Sequence, residues 1–216
     1  MTLKHLFKPR EQTLGEEIAN SISHGVGLVA ALVLAPILII FAFQKGNSHT
    51  VIAAGIFAAT VILLYLASTL YHALPHKKAK KVLRIFDHSA IFLLIAGSYT
   101  PFTVGLLKGV WGWTLFGVVW GLAIVGIGLK IGFGTRYPKI STTLYLLMGW
   151  LVVFAIKPLW TQMPREGFYW LVAGGLAYTL GVFFFAAERI RYNHFIWHLF
   201  VLAGTTCHYV MILFYV

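Results

Sequence analysis

The stretch VWGWTLFGVVWGLAIVGIGL, Val110 to Leu129, runs for 20 residues without a charged side chain. A helix rises about 1.5 Å per residue, so this stretch covers about 30 Å, the hydrocarbon thickness of a bilayer. Runs of the same kind lie on either side of it. Read by length and flanking charge, the spans are 18–43, 50–72, 84–107, 110–131, 140–159, 168–188 and 194–216. Periodicity adds little, because a helix in lipid is apolar on its buried and outward sides alike. Composition agrees: of 216 residues, 59% are hydrophobic and 11% charged, against about 25% charged in soluble domains. The expected fold is an all-α integral membrane protein. A seven-helix transmembrane bundle (18–216) follows a short polar lead (1–17).

The net charge of +11 would suit nucleic acid if the basic residues formed a patch. They instead sit in short connections between apolar runs, so nucleic acid is discounted as a partner. The lead, the link 75–81 with Arg84, the link 132–139 with Lys130, and Arg189 and Arg191 share one side of the bundle. Together they carry 13 of the 17 Lys and Arg residues. Lys45, Lys108, Lys157 and Arg165 fall on the other. Positive loops stay inside, which places the N-terminus in the cytoplasm and the C-terminus outside. The expected location is the cell membrane, the inner one in a bacterium, with lipids as the surrounding partners.

Gly46-Asn47-Ser48 and Lys108-Gly109 read as turns, and Met163 to Gly167 as a link. No cleavable signal peptide is expected, since the first apolar run is of full span length. Cys207 is the only cysteine, so neither an intrachain disulfide nor a cysteine-rich metal site is expected. Gly117 and Gly121, with Gly126 and Gly128, are expected to pack inside the bundle rather than to form a dimer seam. Gly174, Gly175 and Gly181 read the same way. Nothing in the chain specifies an oligomeric state.

The polar residues inside the spans are not scattered. Span two descends to the cytoplasmic side carrying Ser68 and His72. Span three starts there with Asp87 and His88, and span seven starts there with His194 and His198. Span one begins there too, with Glu17, Asn20, Ser23 and His24. Ionisable groups at membrane depth are costly and mark functional sites by default. Residues four apart share a helix face, about 6 Å apart along the axis. His194 and His198 are therefore placed to bind one ion, and Ser68 and His72 point the same way.

Three imidazoles with an open fourth position form a known catalytic zinc arrangement, and bound zinc brings the pKa of water to near 7. His72, His194 and His198 are the candidate metal ligands, with Zn2+ the expected cofactor. Asp87 and Ser68 are the candidate catalytic residues. Asp87 would orient a ligand histidine or accept a proton, and Ser68 would hydrogen-bond water or a carbonyl. Plainer readings stand beside these. His72 could cap the carbonyls of its helix end, and Asp87 could cap the start of span three. Glu17 and Asn20 are expected to cap or brace span one, and His24 to join an inner hydrogen-bond network. His88 points about 100° away from Asp87 and is expected to be no ligand. His5, His49 and His76 read as loop residues. His208 lies roughly 21 Å beyond His194 along the helix, too far to share its ion, and is expected to bond to another helix. No neighbouring helix offers histidines to match it for haem. No lysine lies mid-span in the last helix for a retinal Schiff base.

Three motifs carry a family resemblance. They are Glu17-Ile-Ala-Asn20-Ser-Ile-Ser-His24, then Ser68-Thr-Leu-Tyr-His72 with Phe86-Asp87-His88-Ser89, then His194-Phe-Ile-Trp-His198. In this order they resemble the haemolysin III family, within the progestin and adipoQ receptor family that includes the adiponectin receptors. The resemblance runs from Glu17 to the C-terminus. It implies seven helices with the N-terminus inside, and a zinc on His72, His194 and His198 with Ser68 and Asp87 nearby. The wider superfamily includes alkaline ceramidases, which cleave a lipid amide at a similar site. The long cytoplasmic N-terminal region of the animal receptors has no counterpart in this sequence, and no partner binding through one is expected.

Two functions follow. One is a zinc-dependent hydrolase of a lipid amide or ester, its acyl chain lying among the helices. The other is a receptor or sensor of membrane lipid composition or energetics, its zinc structural. Pore formation, which the family name suggests, has little support, because no amphipathic inserting segment is evident.

Overall fold

A computed structural model describes residues 11–45, 48–107, 109–187 and 189–216. Among these residues the regular elements are all helical. They are α1 (Leu14–Gln44), α2 (Ser48–Ala73), α3 (Lys77–Thr100), α4 (Val110–Phe133), α5 (Pro138–Trp150), α6 (Ile156–Gln162), α7 (Arg165–Ala186) and α8 (Asn193–Tyr215). A π-helical turn, Pro101–Leu106, extends α3, and a 3-10 segment, Leu151–Ala155, joins α5 to α6. The described residues thus hold seven helical stretches long and apolar enough to cross a membrane. The protein is a seven-span, all-α membrane protein. Val26, Val29, Val33, Ile40 and Phe43 of α1 point outward and exposed. Such a belt is a liability in water and fits a surface that faces hydrocarbon.

The expected spans hold to within a few residues, except at two starts. α1 begins at Leu14, where Thr13 accepts from the Glu16 amide and the Glu16 carboxylate accepts from the Thr13 amide. This reciprocal cap sets the start, so Glu17 and Asn20 do not cap the helix. α3 begins at Lys77 rather than 84, so most of the basic link 75–81 is helix. Lysine is a good helix former and keeps its ammonium in water; the apolar run marks only the part of the helix inside hydrocarbon. His76, read as a loop residue, is the N-cap of α3. Asp87 therefore lies well inside the helix, and the capping role considered for it is excluded. Gly46, Asn47 and Lys108, assigned to turns, lie outside the described residues, as does His5. Gly109 has φ +71, a backbone region that glycine enters without strain.

Two prolines explain the irregular turns. Pro101 has no N–H to give the Gly97 carbonyl, and the helix widens to a π turn there. Pro158 likewise withholds a donor from Phe154, next to the 3-10 segment. Tyr99 of α3 fills that break. Its hydroxyl donates to the Gly149 carbonyl at 2.6 Å and accepts from the Val152 amide at 2.9 Å.

α1 packs between α2 and α8, α3 packs on α2 and α4, and α7 packs on α8. α5 touches α3, α4 and α7, so the spans follow one another around a ring. Glu16 fastens the first helix to the last, accepting from the Tyr192 amide at 2.8 Å at the start of α8. The end where α1, α3 and α8 begin carries the basic residues of α3, Arg189 and Arg191, and is the cytoplasmic end. Of the span-four glycines, Gly126 packs inward, where an added Cβ would overlap the Phe92 ring. Gly117, Gly121 and Gly128 are exposed with nothing near them. The expectation that they pack inside is corrected: spacing fixes a shared helix face, not which way that face looks. Gly174 and Gly181 do pack inward, whereas Gly175 has open space beside it.

Candidate metal centre

Ser68 and His72 lie on the last turns of α2, Asp87 on α3, and His194 and His198 on the first two turns of α8. The helix directions bring all five to the cytoplasmic third of the bundle. One ligand atom from each of His72, His194 and His198 lies within 4.8 Å of the others. Their ring centroids are 4.7 to 5.2 Å apart. Among the described residues they are the group close enough to bind a metal ion.

Two of the rings are held from α1. His72 Nδ1 donates to Glu17 Oε2 at 2.7 Å, and Glu17 Oε1 pairs with Lys80 Nζ at 2.7 Å. That fixes the proton on Nδ1 and leaves Nε2, which is buried and has no hydrogen-bond partner. His198 Nδ1 faces Ser23 Oγ at 3.0 Å and the Asn20 carbonyl at 3.2 Å. Ser23 itself donates to that carbonyl at 2.8 Å, so Nδ1 carries the proton and Nε2 is the free donor atom. His194 Nε2 is also buried without a partner. Nitrogens left bare in this way are costly unless something takes their lone pairs. Carboxylate and carbonyl partners on the far nitrogen are the usual support for ligating imidazoles. The donor set fits a metal.

Ser68, Asp87, His194 and His198 share the wall of one cavity. Ser68 is fully buried, and its Oγ has no partner. Asp87 is buried, with Oδ2 3.4 Å from Nδ1 of His88. The carboxylate that orients a histidine of the three-membered group is therefore Glu17, not Asp87. His88 stays outside the three-histidine group, as expected. His24 makes no hydrogen bond, contrary to expectation; its ring stacks on His198 with centroids 3.6 Å apart and planes within 2°. The cavity wall is otherwise mainly apolar, including Ile91, Leu94, Ile95, Val153, Ile156 and Val172. Along α7 it runs from Phe185 near the inner end to Phe168 near the outer, about 25 Å of helix.

The contact of Glu17 with His72 is the feature of the site that the sequence reading missed. Its spacing from Asn20 and His24 was the available signal, since steps of three and four keep one helix face. That face of α1 looks at the site.

The sequence pattern of the family described as "Haemolysin-III related" matches residues 12–209. The chain is 48% identical over 205 residues to "Hemolysin-3" of Bacillus cereus, covering 95% of this chain and 94% of that one. It is 46% identical over 203 residues to "Hemolysin-3 homolog" of Bacillus subtilis (strain 168), covering 94% and 95%. A more distant relative, from the mammalian progestin and adipoQ receptor-like group, is "Monocyte to macrophage differentiation factor" of Homo sapiens. It is 28% identical over 216 residues, covering 95% of this chain and 85% of that one. The matched region takes in all three polar motifs, the first six spans and most of the seventh, and the chain belongs to the haemolysin-III-related family of multi-pass membrane proteins.

Proposed function

We propose that His72, His194 and His198 hold a zinc ion and that the protein hydrolyses an amide or ester bond of a membrane lipid, in the service of membrane lipid homeostasis. One observation carries the reading: the partnerless Nε2 atoms of His72 and His194 belong to one three-histidine group, of which His194 and His198 line the inner end of a long apolar cavity together with the partnerless Ser68 hydroxyl. Imidazole donors suit zinc, and three of them leave an open position. When bound there, zinc would acidify water and polarise a carbonyl. The chain's own residues do the rest. Glu17, Ser23 and the Asn20 carbonyl hold the ring tautomers. Ser68 Oγ donates to the substrate carbonyl oxygen, and Asp87 takes a proton and passes it to the leaving group. The apolar walls seat an acyl chain and exclude water.

Elemental analysis of the purified protein beside His194→Ala tests the metal. About one zinc per chain is expected in the first, with a large loss in the second, because three ligands are the least such a site retains. A panel of amide and ester lipids tests the reaction, with released fatty acid as the readout. Zinc in the protein without turnover on any lipid would sink the enzyme reading.

A second reading, a lipid receptor or sensor with structural zinc, draws on the ligands coming from α2 and α8, which a metal would tie to each other. Metal removal would then lower the melting temperature with no activity to lose.

A further inference from the structure

His208 lies on α8 about 15 Å beyond His198 toward the outer face, inside the seventh span. It is buried, and both ring nitrogens lack a hydrogen-bond partner. The ring interacts with the Leu171 carbonyl of α7 but completes no bond to it. The expectation that His208 bonds to another helix is thus met only in packing. Its neighbours are already satisfied: Tyr178 Oη and Thr205 Oγ1 bond each other at 2.9 Å. Gly174 leaves the space that the ring occupies, for an added Cβ would overlap Cδ2 and Nε2. His208 also lines the same cavity as His194 and His198. A buried imidazole of this kind is expensive and calls for a function.

We propose that His208 is a polar subsite within the acyl cavity that recognises a hydroxyl group partway along a lipid chain. This rests on the reading of the cavity as an acyl-chain site. With the carbonyl end at the histidine cluster, 15 Å corresponds to roughly twelve carbons of extended chain with bonds of about 1.5 Å. A hydroxyl there offers the donor and acceptor that the ring lacks. A site built around such a group discriminates against the chain without it, because its own polar atom is then left unpaired.

The test is equilibrium binding to purified protein, with labelled octadecanoic acid displaced by octadecanoic or 12-hydroxyoctadecanoic acid. The wild type should bind the hydroxylated chain about tenfold more tightly. His208→Leu should abolish that preference, and His208→Gln, which keeps a hydrogen-bonding group, should retain it. Moving the hydroxyl to carbon 6 should remove the advantage in the wild type, a readout that needs no variant. Equal binding of the plain and 12-hydroxy chains overturns the subsite and leaves the acyl cavity standing, as for a histidine that merely holds water. Binding of neither chain overturns both. A preference that survives in His208→Leu removes His208 as its source.

Discussion

Glu17 of the first helix accepts from His72 of the second across 2.7 Å, and its other oxygen pairs with Lys80 of the third. One carboxylate at the cytoplasmic rim thus fixes an imidazole whose other nitrogen faces the candidate metal position. Glu17→Gln should lower zinc affinity about 10- to 100-fold, measured by competition with a chromophoric chelator. Lys80→Ala should have a smaller effect, since the ion pair lies partly in solvent. Equal affinity in wild type and Glu17→Gln would mean that the carboxylate serves only Lys80.

Asp87→Asn separates chemistry from assembly. Asp87 is no member of the three-histidine group, so the variant should keep its metal. Lipid hydrolysis should fall about 10²- to 10⁴-fold, the usual contribution of a positioned proton carrier. Metal content and turnover measured on one preparation decide the matter. Loss of both together would make Asp87 a structural residue.

Tyr99→Phe should destabilise the fifth span. The tyrosine hydroxyl serves a carbonyl and an amide at the 3-10 break, and neither group has water to turn to in the membrane. A loss of about 1–3 kcal/mol is expected. It should be seen as a lower melting temperature in detergent and as faster hydrogen exchange at Val152.

Gly126→Ala and Gly117→Ala form a matched pair on one helix. The added methyl at 126 meets the Phe92 ring, and the one at 117 meets nothing. The first should cost about 1–3 kcal/mol as overpacking. The second should be neutral or slightly stabilising, because alanine is the better helix former. Thermal melts of both variants check the difference, and equal effects would contradict the inward placement of Gly126.

Much of this architecture was legible before any coordinates. Span length reflects bilayer thickness, and the lysine and arginine bias reflects insertion, so both are written in the local sequence. The meeting of Ser68, His72, Asp87, His194 and His198 followed from counting helix directions. What escaped was of two kinds. Helix starts at Leu14 and Lys77 lie in water, where caps and lysine stems extend a helix past its apolar run. The facing of Gly117 and the partners of Glu17 and His24 depend on rotation about the helix axis. In lipid both sides of a helix are apolar, and little in the sequence fixes that rotation. The Tyr99 hydroxyl filling a break some fifty residues downstream is a purely tertiary event.

The contact between the starts of α1 and α8, made through Glu16 and Tyr192, carries a consequence for biogenesis. His72 is made with α2, well before His194 and His198, which arrive with α8. No earlier product of translation can assemble the three-imidazole cluster. Ion capture would then wait for the entry of α8 into the bundle, and a chain cut before α8 could not perform it.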